Sequence, residues 1–515
     1  MFNLSSLLES STNKYADRIA FTYEDTSLTY VQVNGAANQV ANGLIQSGIQ
    51  QGDKVALSCL NIPYFPIIYF GILKAGAVVV PLSVLLKENE VAYHLKDSEA
   101  KAYFCFVGND MLPMGERGYK GFNEAPLCED FYMIMPSPTM ASPINDVKTL
   151  GALMNGQSPS LESNITSADD TAIIIYTSGT TGKPKGAELS HANIFMNALV
   201  CKGLMDMTYE DKSLVVLPLF HIFSMVVLMV NIVYCGGEGV LLPRFDAQAV
   251  LDTMVKHKVT IFAGVPTMYW ALTNHETNEA AIKAIGENLN IAISGGASLP
   301  INVLESFEKK FNVEIIEGYG MSEGSPVVTF NHRSIGCKPG SIGTAIWGVQ
   351  VKLVDAEGNE VAQGEKGELI YKGHNVMKGY YKKPEANAKT IKNGWLYSGD
   401  IATKDEDDFY YIVDRTKDMI IRGGLNVYPR EVEDTMMEHE AVSLVAVIGV
   451  PNEARGEEIK ACVVLKPDAT VSEDELMTWT KSRIADYKYP RIVEFMDALP
   501  MSATGKILKK ELRKS

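Results

Sequence analysis

No two of the seven cysteines form a CxxC pair. They stand singly at Cys59, Cys105, Cys128, Cys201, Cys235, Cys337 and Cys462. An odd, scattered set argues against a disulfide framework or a cysteine zinc site and fits a reducing compartment, so a cytoplasmic location is expected. The eight histidines include no HExxH pair, which excludes that zinc-protease signature. MFNLSSLLESSTNKYADR lacks a basic start followed by an apolar stretch, so no secretory signal is read. Positive charge is also short. Lys plus Arg is 47 against 62 for Asp plus Glu, a formal net charge of −15. That balance disfavours nucleic acid or an anionic membrane as the main partner, while leaving room for local basic pockets.

Long uncharged runs are rare as well. Leu214 to Cys235 is one, but Pro218, His221, Ser224 and Asn231 interrupt it and Gly236-Gly237 closes it. A buried strand, a turn and a buried helix are expected there rather than a transmembrane span. Peripheral membrane contact and a homodimer both stay open.

What is present is a globular composition, 46% hydrophobic and 21% charged over 515 residues, long enough for several domains. Pro66 to Lys74 reads as an apolar helix and Val78 to Pro81 as a buried strand, the alternation of an α/β fold. Residues 108–170 lose the pattern among Pro136, Pro138, Pro143 and Pro159 and read as a loop-like excursion. Thr171 to Tyr176 is a short apolar strand. Strand–helix alternation then runs to about 350, and a β-rich subdomain is expected at about 350–413. A compact αβ pattern follows, with helices expected over Pro429–His439 and Ser472–Ala485. The division read is a large N-terminal α/β unit at 1–413, a connector at 414–417, and a small α+β unit at 418–515.

The strongest chemical signal is the string Tyr176-Thr177-Ser178-Gly179-Thr180-Thr181-Gly182-Lys183-Pro184-Lys185-Gly186. A strand feeds a loop of hydroxyls and glycines, then two lysines. Such a loop lets backbone amides approach phosphate oxygens, with lysine supplying a point charge. It is not a Walker A loop, because Thr177 stands where the first glycine is required and Pro184 follows Lys183. Phosphate gripping is expected without P-loop NTPase architecture.

This string resembles the signature of the adenylate-forming superfamily, which includes acyl-CoA synthetases, adenylation domains of peptide synthetases and luciferases. Other segments are similar in the same order: LKAGAVVVPL at 73–82, PLFH at 218–221, SGGASLP at 294–300, EGYGMSEGSP at 317–326, NGWLYSGDIA at 393–402, DRTKDMIIRGG at 414–424 and PMSATGKILKKELR at 500–513. Together they cover nearly the whole chain. NGWLYSGD through YPREVE looks like the fatty-acyl-CoA synthetase signature, with Asp408 where a turn glycine is usual and Ser398 where Thr is usual.

The resemblance implies attack of a carboxylate on the α-phosphate of ATP, release of pyrophosphate, and transfer of the acyl group from the adenylate to a thiol. It implies ATP, Mg²⁺ and CoA as cofactor and co-substrates and a small-molecule carboxylic acid as partner. By the same resemblance, Thr177, Ser178, Gly179, Thr180, Thr181, Gly182 and Lys185 hold phosphate. Gly295, Gly296, Ala297 and Tyr319 surround adenine, Glu317, Gly318 and Gly320 belong to the same ATP/AMP site, and Ser322 contacts the AMP phosphate. Glu323, with Thr177, holds Mg²⁺. Asp400 and Arg415 reach the ribose, His221 and Lys506 the reacting carboxylate and α-phosphate. Lys417 is the hinge, and Gly423, Gly424 and Asn426 face CoA. No acidic residue lies between Asp211 and Glu238, which disfavours an amino-acid substrate because its buried ammonium would lack a counter-charge. A medium- or long-chain fatty acid is the first expectation, and an aryl or arylpropenoic acid the second. A carrier-protein thiol as acceptor and a nucleotide-binding regulator are the remaining alternatives.

Overall fold

The computed structural model describes residues 2–177, 183–415, 417–453 and 455–513. Four β-sheets organise these residues. In an eight-stranded sheet, Thr171–Thr177 lies between Val78–Pro81 and Lys185–Ser190, with Gly379–Tyr380 at the edge. Successive residues of its strands serve opposite faces. Ile173 packs into the main core shared with the second large sheet, while Ile174 packs with Ala56, Val80 and Tyr103 on the other side. A sheet buried on both faces is the α/β arrangement, as the apolar runs predict.

The second large sheet has nine strands. Ile261–Gly264, Ile291–Ser294 and Ile315–Gly320 run parallel at its centre. Their carboxyl ends open into the loops that carry Thr267, Gly295–Ala297 and Ser322–Glu323, the usual position for a ligand site in such sheets. The uncharged Leu214–Cys235 stretch contributes part of the strand Lys212–Val215, a turn, then a π-helix Phe223–Val230 and the helix Asn231–Cys235. No helix among the described residues is long and apolar enough to cross a membrane.

Residues 349–415 form the expected β-rich layer, a five-stranded sheet in which Trp395–Lys404 pairs with Tyr410–Arg415. Asp408 turns that hairpin at φ +63°. Asp tolerates this region better than most residues, and Asp405 Oδ1 holds the turn by accepting the Asp407 and Phe409 N–H groups, each at 3.0 Å. The last sheet is built from residues 420–495. It has its own cores, with Val445 and Val447 on one face and Ala446 and Ile448 on the other. The helices there are Pro429–Met437 and Glu473–Lys481, shorter at their C-terminal ends than the periodicity predicts. All seven cysteines are free, six of them buried.

The loop-like reading of 108–170 is corrected. That stretch contains a helix, Met114–Asn123, and the strand Asp130–Ile134, which extends the eight-stranded sheet. MGERGYKGFN has poor intrinsic helix propensity, which hid the helix. Its glycines make it possible. Cβ atoms added at Gly115, Gly118 and Gly121 would fall 2.6 Å from Met133 Sδ, Cys105 Sγ and Glu88 O respectively. The helix lies on its neighbours along a face with no side chains, and packing outweighs propensity.

Candidate active site

The antiparallel strands Thr171–Thr177 and Lys185–Ser190 bracket the Gly/Thr loop, with Thr177 opposite Lys185. Ser178, Gly179, Thr180, Thr181 and Gly182 lie outside the described residues. Lys185 stands 4.1 Å above the Tyr380 ring, and the edge pairing of Tyr380 with Ala187 brings that ring under it. Burial lowers the Lys185 ammonium, Glu323 raises it, and the positive charge of Lys417 lowers it further. Lys185, Lys417 and Glu323 therefore share one electrostatic field.

Glu323 sits in the short 3-10 turn Ser322–Gly324 and is buried, only 6% exposed. Its Oε1 accepts the Tyr380 hydroxyl at 2.7 Å. Tyr319, on the strand before this turn, donates its hydroxyl to Asp400 Oδ2 at 2.5 Å, and Arg415 Nε reaches Asp400 Oδ1 at 3.0 Å. Asp400 and Arg415 face each other across the hairpin register. The Ser398 hydroxyl, where Thr is usual, accepts the Asp400 N–H and donates to Leu369 O, so the substitution keeps its local role.

The Gly295–Ala297 loop closes a second side. Gly295 is buried against the Phe223 ring and Gly318 O, and Gly296 has φ +84°. A Cβ at Gly296 would meet Lys506 Cε at 3.2 Å, so glycine here serves both the left-handed backbone and the incoming lysine. Glu317, in register with Ser294, is 4% exposed. Its Oε2 accepts Leu299 N–H at 2.8 Å while Oε1 has no hydrogen-bond partner among the described residues. Burial pushes this carboxyl up to about 7, against hydrogen bonding from Leu299 and the charge of Arg430. The carboxylate thus braces the glycine loop from within the fold.

Lys506 comes from the opposite end of the sequence. Its loop is moored by the Thr267 hydroxyl, which donates to Gly505 O at 3.1 Å. Burial and the charge of Arg415 lower the Lys506 ammonium to about 8, with Asp400 and Glu323 opposing. His221 is half-buried, and its Nδ1 accepts the Phe223 N–H at 3.3 Å. That fixes the proton of the neutral ring on Nε2. Burial, then the Lys506 charge, holds this imidazole down at about 3, so it is uncharged at neutral pH.

The fold therefore gathers Lys185, Lys417, Arg415 and Lys506 around Glu323 and Asp400, giving a pocket of positive balance on an acidic protein. Gly423, Gly424 and Asn426 lie elsewhere on the C-terminal unit, on the exposed hairpin of Ile420–Arg422 and Leu425–Val427. Among the described residues, Cβ atoms at Gly423 or Gly424 would meet nothing within 4 Å. Arg422, on the same hairpin, is not a free cation. It is 5% exposed and paired with Glu458, Nη2 to Oε2 at 3.1 Å. Tyr380 and Thr267 went unnoticed as site residues. Tyr380 reaches Glu323 across 57 positions and Thr267 reaches Gly505 across 238, separations that carry no local sequence signal. Among the described residues no three His, Cys, Asp or Glu side chains cluster to hold a metal alone.

Comparison with known proteins gives this geometry a family. Residues 8–381 match the profile of AMP-binding enzymes, and residues 431–506 that of the AMP-binding enzyme C-terminal domain. A long-chain-fatty-acid–CoA ligase of Bacillus subtilis (strain 168) is 36% identical, over 99% of this chain and 94% of its own. A feruloyl-CoA synthase of an Amycolatopsis species is 35% identical, over 96% and 95%. MatB of Rhodopseudomonas palustris, 30% identical and 99% covered by this chain in full, superposes with a TM-score of 0.90 in its ATP-bound structure and 0.79 in its apo structure. The chain belongs to the AMP-binding enzyme family.

Proposed function

We propose that this protein activates a carboxylic acid with ATP and transfers the acyl group to coenzyme A. The observation that carries the reading is the Lys506 ammonium, brought from the C-terminal unit to the rim of the Gly295–Ala297 loop beside neutral His221, Arg415 and Asp400. A carboxylate oxygen attacks the α-phosphorus and the bond to pyrophosphate breaks. Lys506 lies between the two anions, lowering their repulsion and matching the charge that builds on the α-phosphate. His221, with its proton on Nε2, donates to the carboxylate without adding a second cation beside Lys506. Lys185 and the flanking loop take the outgoing phosphates. Asp400 accepts from the ribose hydroxyls, with Tyr319 and Arg415 fixing its orientation.

A magnesium ion fits Glu323. Mg²⁺ binds through one or two carboxylates plus nucleotide phosphates rather than a protein cage, and Glu323 is a single buried carboxylate oriented by Tyr380, with Thr177 the other donor. When bound, the ion neutralises charge between phosphates. In the second half-reaction the sulfur of CoA attacks the acyl carbon and AMP leaves. We assign that step to another orientation of the C-terminal unit, with Lys417 as pivot and Gly424 near the thiol.

The acid we favour is a medium- or long-chain fatty acid. The π-helix after His221 is wholly apolar except for Ser224, whose hydroxyl is spent on Leu217 O. Each methylene buried beside such a wall contributes roughly 0.8 kcal/mol. The full-length likeness to a long-chain ligase supports this, and the likeness to a feruloyl-CoA synthase supports an arylpropenoic acid as the second reading. The free cysteines support a cytoplasmic setting. The test is a panel of acids from acetate to long-chain fatty acids, with ferulate and benzoate, read as AMP formed with CoA present. Highest kcat/KM with long chains is expected. A clear preference for ferulate replaces the first reading by the second, and no pyrophosphate release with any acid rejects the ligase.

A further inference from the structure

The helix Pro429–Met437 belongs to the C-terminal unit, yet its second residue is fastened once to the connector and once to the large unit. The Arg430 N–H donates to Asp414 Oδ2 at 3.0 Å, and Arg430 Nη1 donates to Ile412 O at 2.6 Å. Both acceptors lie on the strand Tyr410–Arg415, which pairs with the strand bearing Asp400. The guanidinium is held in place by Asp434, one turn along the helix, at 3.4 Å, and its side chain is only 16% exposed. The same charge acts on Glu317, the buried carboxylate whose second oxygen lacks a partner. At the far end of the helix, Asn302 Nδ2 of the large unit donates to Met437 O at 3.4 Å. These contacts cross the boundary at 414–417 in the arrangement that also moors Gly505 to Thr267. Hydrogen bonds of this length are directional, so a rotation large enough to withdraw Lys506 breaks the side-chain contact to Ile412 and the contact at Met437.

We propose that Arg430 is a positioning residue that holds the C-terminal unit in the orientation in which Lys506 enters the site, and so serves adenylate formation but not thiol transfer. The inference rests on the two-step reading above. It adds a residue that touches neither nucleotide nor acid yet sets how often Lys506 is in place.

The experiment uses the full chain carrying Asn302→Cys and Met437→Cys, joined by a short bifunctional maleimide, with and without Arg430→Ala. Arg430→Ala keeps the backbone N–H to Asp414 and removes only the guanidinium contacts. The cross-linked fraction is expected to fall about tenfold, the worth of one charge-assisted hydrogen bond. Adenylate formation should fall with it, while CoA-dependent consumption of supplied acyl-adenylate is kept. Arg430→Lys, which can still reach Ile412 O, should restore part of both readouts. Unchanged cross-linking in Arg430→Ala overturns the proposal, as does equal loss of the two half-reactions. If Arg430→Ala does not fold, Arg430→Met, which keeps an apolar stem and donates no hydrogen bond, decides by the same criterion. If the parent releases no pyrophosphate with any acid, the ligase reading fails, and the cross-link result still judges the contact.

Discussion

Two loops of the same small unit have opposite surroundings. At Gly505–Lys506 the chain is enclosed: a Cβ on Gly505 would come within 2.9 Å of Thr267 Oγ1 and Val265 Cγ2, and Lys506 Cε crowds Gly296. At Gly423–Gly424 the same test meets empty space, although both glycines have positive φ, +58° and +82°. The enclosed loop is docked in this orientation. The open hairpin has the backbone shape of a site, and among the described residues no atom lies within 4 Å of a Cβ added at either glycine, as a second station of a moving unit requires.

The largest effect separating the two is expected from Lys506→Ala. The substitution removes the half-buried cation that the proposed mechanism sets beside the reacting anions, and adenylate formation should fall by about 10²–10³, the range for deleting one preorganised charge-stabilising group. CoA transfer from supplied adenylate should remain near the parent rate. Rapid-quench assays of each half-reaction check this, and parallel loss would make the two loops one functional element.

Gly424→Leu probes the other side. Its side chain has room here, so adenylate formation should change little. The cost of a branched side chain at φ +82° is about 1–2 kcal/mol, felt as a small drop in Tm. Transfer to CoA should fall about tenfold or more if the hairpin closes on the thiol. A variant that loses adenylate formation instead would reverse the assignment.

How much of this was legible in the sequence divides along the same line. The enclosed elements were readable. The apolar run from Thr171 announces its strand because each of its central side chains enters one core or the other. Pro429 marks its helix start because proline suits a first turn. Contacts between distant segments were not readable. Nothing in GYYKK announces that Tyr380 will lie beneath Lys185 and bind Glu323, because strand pairing at a sheet edge brings them together. Nor does the sequence show that Arg422 is paired with Glu458 on the neighbouring strand Gly456–Leu465. The glycine-rich Met114–Asn123 helix is the same failure in reverse, since only its neighbours explain it.

A smaller effect comes from pH. Burial and Arg415 hold Lys506 at about 8 in the ligand-free protein, below the usual lysine range. In the proposed mechanism Lys506 acts as a cation, so it must carry its proton. The kcat/KM for ATP, which reports the free enzyme, should be level below pH 8 and fall up to tenfold per unit above it. Neutral His221, held near 3, should add no limb between pH 5 and 8. Lys506→Arg should remove the alkaline limb even where its rate is low, because arginine stays protonated. A limb that survives in Lys506→Arg belongs to another group.

The smallest expected change is Tyr380→Phe. The ring under Lys185 is kept and only the hydroxyl on Glu323 is lost. Glu323 is buried, so one of its oxygens then lacks a protein donor. A missing hydrogen bond to a charged group amounts to about 1.5–3 kcal/mol when nothing replaces it, but nucleotide-bound magnesium would itself occupy the carboxylate. The loss should therefore appear as a rise of about tenfold in the magnesium concentration needed for half-maximal rate, the lower end of the penalty for removing a group that orients a metal ligand. The rate at saturating magnesium should be nearly unchanged. CoA transfer, which involves no pyrophosphate, should not respond. If Tyr380→Phe slows transfer as much as adenylate formation, Glu323 is bracing both orientations, and the contrast between the enclosed loop and the open hairpin would no longer map onto the two half-reactions.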